Sequence, residues 1–219
     1  LKSDGIAAAK VIAVGMEFPG LVHQVRKINK TYFPAIGDLH QRLGTLFGVP
    51  VFFDNDARMR TFAEQHFGLA RGKQHVLMVH CDWGIGMGLI INGQPYGGKS
   101  GFSGEFGHIP MVDNGILCSC GKIGCLETIA SVPAIARQAR EGVEKGNSSL
   151  ILSLVNNDQE RITTGTVIEA ARLGDQFSIS ILTNAGFWLG KGIAQLKQIF
   201  NTELIIIGGK VAEAGQFML

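Results

Sequence analysis

Three of the four cysteines fall within one short stretch, Cys118-Ser119-Cys120-Gly121-Lys122-Ile123-Gly124-Cys125, and His108 stands ten residues upstream of the first of them. Three thiolates and one imidazole make a closed, four-coordinate donor set, and zinc has the borderline softness that such a mixed set favours. Gly121 and Gly124 let the backbone wrap tightly enough to aim three sulfurs at one point. The competing reading is a disulfide, or free thiols in a loop. A Cys-x-Cys pair is poorly suited to bonding itself, and a reducing compartment disfavours a disulfide. We therefore expect a structural Zn2+ held by His108, Cys118, Cys120 and Cys125. The cluster constrains the fold, because residues 97–125 are Gly-, Ser- and Cys-rich with little periodicity, too long for an unstapled loop in a compact domain. The fourth cysteine, Cys81, lies in an apolar run and reads as a packing residue.

Around that loop the pattern is α/β. Residues 38–48 have helical spacing, with Leu39, Leu43 and Leu46 on one face. Residues 49–53 read as a buried strand that runs into Asp54-Asn55-Asp56, and a helix follows over 57–69 with Phe62, Ala63 and Phe67 facing inward. Residues 75–81 and 85–91 read as adjacent strands separated by Asp82-Trp83-Gly84. Asn92-Gly93 is a hairpin turn, with the return strand starting at 94–96. Helices are expected over 133–144, 165–173 and 177–200, the last two broken at Gly174-Asp175. Residues 203–207 are a buried strand, and Gly208-Gly209 opens a final helix over 211–219.

The chain has 219 residues, 46% of them hydrophobic, which suffices for one large domain or two modest ones with a sizeable core. The boundary is expected near Asp56, giving a smaller part over 1–56 and a larger part over 57–219 that contains the zinc-stapled loop 103–127. A net charge of +2 with scattered Lys and Arg offers no basic stripe for nucleic acid. No apolar run reaches the ~18 residues of a membrane span. With no signal-peptide pattern and no initiator Met, we expect an internal fragment, truncated at both ends, of a longer cytoplasmic protein.

Asn55, Asp56, Glu105, His108 and Glu127 sit at strand ends or in the stapled loop. A metal at His108 and Cys125 would fix Glu105, three residues before the histidine, and Glu127, two after the cysteine. Rigid carboxylate and amide groups suit a polyhydroxyl ligand with many donors. Helix capping or a solvated surface is the better explanation of Glu105 or of Glu127 taken alone; together with the staple, the set favours a binding site. Gly84, Gly86, Gly88, Gly208 and Gly209 have two readings: backbone amides turned to phosphates, or bulges and close packing in neighbouring strands.

Asn55-Asp56, Gly104-Glu105-Phe106-Gly107-His108 and Cys118-x-Cys120-Gly-x-x-Gly-Cys125-Leu126-Glu127 together resemble the ROK family, which joins sugar kinases with sugar-responsive transcriptional repressors. The resemblance runs from about Val11 to the end. It implies an α/β, actin-like (ribonuclease H-like) sugar kinase fold with two lobes and a ligand cleft. It also implies a sugar site lined by Gly20, Asn55, Asp56, Glu105, His108 and Glu127, with Asn29 as a further contact. In a kinase Asp56 would be the general base, Gly84, Gly86, Gly88, Gly208 and Gly209 would meet the nucleotide, and ATP with Mg2+ would be required. His108 would hold zinc through one nitrogen and offer the other to the sugar.

Two departures from the kinase pattern stand out. The early Asp-x-Gly-Gly-Thr phosphate loop of kinase members is absent, but it should lie upstream of Leu1, so truncation explains this and it proves nothing about the branch. The kinase members' Gly-Thr-Gly-Ile-Gly-x-Gly reads here Asp82-Trp83-Gly84-Ile85-Gly86-Met87-Gly88, which removes a hydroxyl and adds bulk and negative charge. Cys125-Leu-Glu-Thr-Ile-Ala-Ser131 also looks closer to the N-acetylglucosamine- and glucose-type repressors. The resemblance therefore implies a sugar-sensing effector domain for a hexose or N-acetylhexosamine (or its phosphate), with DNA bound by a helix-turn-helix outside this sequence. An ATP-dependent sugar kinase is the alternative. A homo-oligomer is expected in either case.

Overall fold

The computed structural model describes residues 7–23, 28–34 and 39–218. Asp38 and Leu219, which bound two of the expected helices, lie outside the described residues. The chain divides into two compact units, residues 1–74 with 88–104, and residues 75–87 with 105–219. This is a different division from the boundary expected near Asp56, because the helix after Asp56 packs on the strands before it.

In the first unit β1 (Val14–Phe18) runs parallel to β4 (Val51–Asn55), while β2 (Val22–His23) and β3 (Ile28–Asn29) form a short antiparallel pair. Helix α1 (Leu39–Phe47) connects the two pairs. Val22, Leu39 and Phe53 form the core here, with Met16, Phe18 and Leu43 against them. Phe18 meets Phe53 and Phe33 edge-on, at 5.5 and 5.9 Å between centroids. Leu46 belongs to the face predicted to be buried but is exposed. Only the N-terminal part of α1 reaches the core.

Helix α2 (Asp56–Phe67) corrects a larger expectation. Its buried residues are Ala57, Arg58 and Thr61, while Phe62, Ala63 and Phe67 are exposed, Phe67 by 85%. The small residues face inward because the helix lies close against the next sheet: a Cβ on Gly88 would sit 1.8 Å from Thr61 Oγ1. Phenylalanine has no room there.

β5 (Val76–Cys81), where a strand is expected over 75–81, is buried along its whole length, His80 included. β6 (Ile85–Ile91) begins in the second unit and ends in the first, where it hairpins through Asn92-Gly93 to β7 (Gln94–Pro95). The sheet order is β7-β6-β5-β8, β8 (Leu204–Gly208) lying parallel to β5 with Val76 opposite Leu204. Helices α3 (Glu127–Ala130), α4 (Val132–Glu144), α5 (Ile151–Leu154), α6 (Thr164–Arg172) and α7 (Gln176–Phe200) complete the second unit. The inward stripe of α7 includes Ile181, Leu182, Ala185, Leu189, Gly192 and Leu196, at the three-and-four spacing of one helical face. The short helices α3 and α5 gave no periodic signal, being one turn each. The final segment Lys210–Met218 is a 3₁₀ coil broken at Gly215 (φ 55°, ψ −125°), so the helix expected over 211–219 is not continuous.

The break at Gly174-Asp175 is the N-terminus of α7. Asp175 accepts hydrogen bonds from Ser178 N and Oγ (2.9 and 2.6 Å), Leu150 N (3.0 Å) and Ser149 Oγ (2.8 Å). Burial pushes its carboxyl up, but the Ser178 hydroxyl and the other donors outweigh this and hold it below the ordinary range. Its stabilising effect is thus present above the unfolded pKa of about 3.9 and is lost as pH falls through the lower folded pKa. Asp175→Ala should cost about 1–3 kcal/mol at neutral pH. Urea melts at pH 7 and at pH 3 check this, and the deficit should shrink at the lower pH.

Among the described residues no helix is long and apolar enough to cross a membrane.

Candidate functional site

His108, Cys118, Cys120 and Cys125 converge in the second unit, with their ligand atoms all within 4.8 Å of one another. Cys118 Sγ is 3.4 Å from His108 Nδ1, and Cys120 Sγ is 3.6 Å from Cys125 Sγ. A tetrahedron with zinc–sulfur spokes of about 2.3 Å has edges of about 3.8 Å, so the spacing fits one small cation. A sulfur–sulfur bond of about 2.05 Å does not fit it, and all four cysteines are free. Burial and the neighbouring sulfurs of Cys120 and Cys118 push the Cys125 thiol up to about 12. Three thiolates gathered this closely would repel one another unless a positive charge lay among them. When bound, zinc supplies that charge and a fixed geometry.

Local structure explains the convergence. Isolated bridges join Pro110 to Cys125 and Leu117 to Ile123, folding the loop back on itself. Phe106 is buried, and its ring lies where a Cβ on Gly192 of α7 would be, 2.7 Å away. Only glycine admits the ring, and the ring anchors the 3₁₀ turn Phe106–His108 that presents the histidine. With Nδ1 toward the sulfurs, His108 Nε2 lies 3.8 Å from Glu105 Oε2. Glu127, at the start of α3, accepts from the Ile85 amide at 3.0 Å, so its carboxylate pins the turn that carries Gly84. Glu105 and Glu127 therefore stand close in the chain to the cluster members His108 and Cys125, within a single unit.

Gly209 follows β8 with φ +92°, and a Cβ there would meet the Cys81 carbonyl at 2.3 Å. The next amide, Lys210 N, donates to Asp82 Oδ2 at 3.4 Å, and Asp82 is 3.8 Å from His80 Nε2. Trp83 is 77% exposed, so its bulk turns to solvent. Gly86 lies within β6, and Gly88 is taken up by the packing of α2. Cys81 is fully buried, and burial followed by the charge of Asp82 pushes its thiol up to about 12. It is a packing residue.

In the first unit, Asn55 caps α2 by accepting from Arg58 N at 3.2 Å, and its amide donates to Gly20 O at 3.1 Å and Asp56 Oδ1 at 2.9 Å. Asp56 is thus oriented by Asn55 and by the Ala57 amide at 2.9 Å. Gly20 has φ +80°. Asn29 is fully buried: it donates to Pro19 O and accepts from the Thr31 and Tyr32 amides, so it pins a turn. Sequence reading overlooked Arg58, which gathers Asp54, Val22 and Gly101 around one buried guanidinium. The only trace in the sequence is its place four residues after Asp54.

The architecture is the α/β, actin-like sugar kinase fold. The chain belongs to the ROK family, whose model matches residues 2–219. It is 35% identical to the glucokinase of Thermotoga maritima over 99% of this chain and 68% of that protein. It is 32% identical to the xylose repressor of Bacillus spizizenii over 95% of this chain and 51% of that protein. Among solved structures it superposes on the ROK family glucokinase from Streptomyces griseus, crystallised with glucose and AMPPNP, with a TM-score of 0.85 and 31% identity. That match covers 96% of this chain and 69% of the glucokinase. The chain thus spans about two thirds of its kinase relatives and half of the repressor, and both kinds are its homologues.

Proposed function

We propose that this chain is the sugar-sensing part of a ROK-family repressor, binding a hexose or N-acetylhexosamine (or its phosphate) and acting on DNA through a region outside this sequence. The sugar-binding groups would be Gly20, Asn55, Asp56, Glu105, His108 and Glu127. Zinc on His108, Cys118, Cys120 and Cys125 would order the pocket without joining any chemistry. His108, held to the metal through Nδ1, would keep its proton on Nε2 and donate it to a sugar oxygen. Sugar controls DNA binding only if it has different affinity for two arrangements of the protein.

One observation carries the repressor branch. The Lys210 amide after Gly208-Gly209, where a kinase would meet its nucleotide, donates to the carboxylate of Asp82. Two like charges 4 Å apart repel by about 4 kcal/mol near a protein surface, so an anionic phosphate is disfavoured in that corner. The outward turn of Trp83 removes bulk from the argument and leaves the charge. A kinase is the second reading. It is favoured by the oriented carboxylate of Asp56 at the head of α2 and by the glucokinase relatives. There Asp56 would take the proton of the reacting hydroxyl, and ATP with Mg2+ would meet Gly84, Gly86, Gly208 and Gly209.

The test is ADP release by the full-length protein with ATP and a panel of hexoses and N-acetylhexosamines, beside calorimetric titration of the same sugars. We expect saturable binding of one sugar without turnover. ADP release that disappears in Asp56→Asn would replace the repressor reading with the kinase.

A further inference from the structure

Arg58 is 5% exposed, yet its charge is bound to three separate pieces of chain. Its guanidinium pairs with Asp54 at the end of β4 and donates to the carbonyls of Val22 in β2 (3.2 Å) and Gly101 in the loop 97–104. Burying an arginine costs several kcal/mol unless it is paired and hydrogen-bonded, and here both conditions are met. The same loop is gripped at the next residue. Phe102 lies edge-on to His23, 5.6 Å between centroids, and beneath the Lys30 ammonium at 5.1 Å. Meanwhile the Arg58 amide is what Asn55 accepts from to cap α2. Main chain and side chain of one residue therefore act together on the Asp54-Asn55-Asp56 corner.

We propose that Arg58 is a positioning residue of the site. Its planar set of donors clamps the loop 97–104 and the edge of β2 to the corner that carries Asp56. Lysine cannot replace it, because a single ammonium lacks the fork that reaches acceptors in three directions. The proposal rests on the reading of Asp56 as a sugar-binding group.

Lys99 is exposed in that loop, so trypsin reads the clamp directly. Arg58→Lys and Arg58→Met in the full-length protein should be cut after Lys99 about tenfold faster than wild type, with zinc content unchanged. Their Kd for whichever panel sugar binds wild type should rise about tenfold, measured well below their melting temperatures. Should Arg58→Met fail to fold, Arg58→Lys and Asp54→Asn carry the same comparison. Cleavage after Lys99 at the wild-type rate would overturn the clamp. A freed loop with unchanged sugar Kd would overturn the positioning role, leaving a purely structural one. Absence of sugar binding in wild type would sink the site reading instead, and the cleavage rates would still decide the clamp.

Discussion

Cys120→Ser should lose zinc and lose sugar binding with it. Cys120 is the exposed member of the donor set, so the substitution removes a ligand while leaving the buried Cys118 and Cys125 packed. Structural zinc in finger peptides contributes apparent binding free energies of about 10–16 kcal/mol, so losing one of four ligands should weaken retention by orders of magnitude. Apart from the metal, the loop between Ile109 and Cys125 is held by its own backbone, through two isolated bridges and hydrogen bonds such as Met111 N to Gly124 O and Cys118 N to Lys122 O. Its flanks, Phe106 and Leu126, are buried and should stay in place. The loss is therefore expected to be local: without the metal the His108 ring is no longer fixed and Glu105 beside it loses that support, while Glu127 keeps its hydrogen bond from the Ile85 amide. Elemental analysis after chelator dialysis, thermal melts and sugar titration read it out. Wild-type sugar affinity in metal-free protein would sink the idea that zinc organises the pocket.

Gly124→Ala should be the most damaging single methyl in this loop. Gly124 has φ +71°, and a Cβ there would stand 1.8 Å from the Val112 carbonyl oxygen. That oxygen is backbone and cannot turn aside. The neighbouring Met111 amide binds the Gly124 carbonyl at 2.8 Å, and the Gly124 amide binds Ile116 at 3.0 Å, so relief requires breaking the loop's own hydrogen bonds. The left-handed conformation costs a side chain about 1–2 kcal/mol and forced overpacking a further 1–3 kcal/mol or so, about 2–5 kcal/mol together. Gly121 supplies the control. It has φ +86° but nothing within 4 Å of its Cβ, so Gly121→Ala should show the conformational cost alone. Equal urea midpoints for the two variants would refute the role given to Val112.

The alternation of apolar runs was enough to place β5, β6 and β8 and the helices α4, α6 and α7 to within a residue or two, because strand and helix periods are local properties of a chain. The metal donor set was equally legible, since three of its four members are neighbours in sequence. The face that α2 buries was not. Its aromatic residues suggested one face, and the close approach of Gly88 together with the demands of Arg58 selected another.

Local pattern was sufficient for the family, for the cluster of His108 with Cys118, Cys120 and Cys125, and for the longer strands and helices. Tertiary structure alone decided that Asn29 pins a turn, that Trp83 faces solvent, that Asp82 meets the Lys210 amide, and that Arg58 ties three segments together. The partners of Arg58 in Val22 and Gly101 lie 36 and 43 residues away, and Asp82 and Lys210 are 128 residues apart. Periodicity reports which neighbours along the chain share a face; a hydrogen bond across such separations exists only once the whole sheet has brought its ends together.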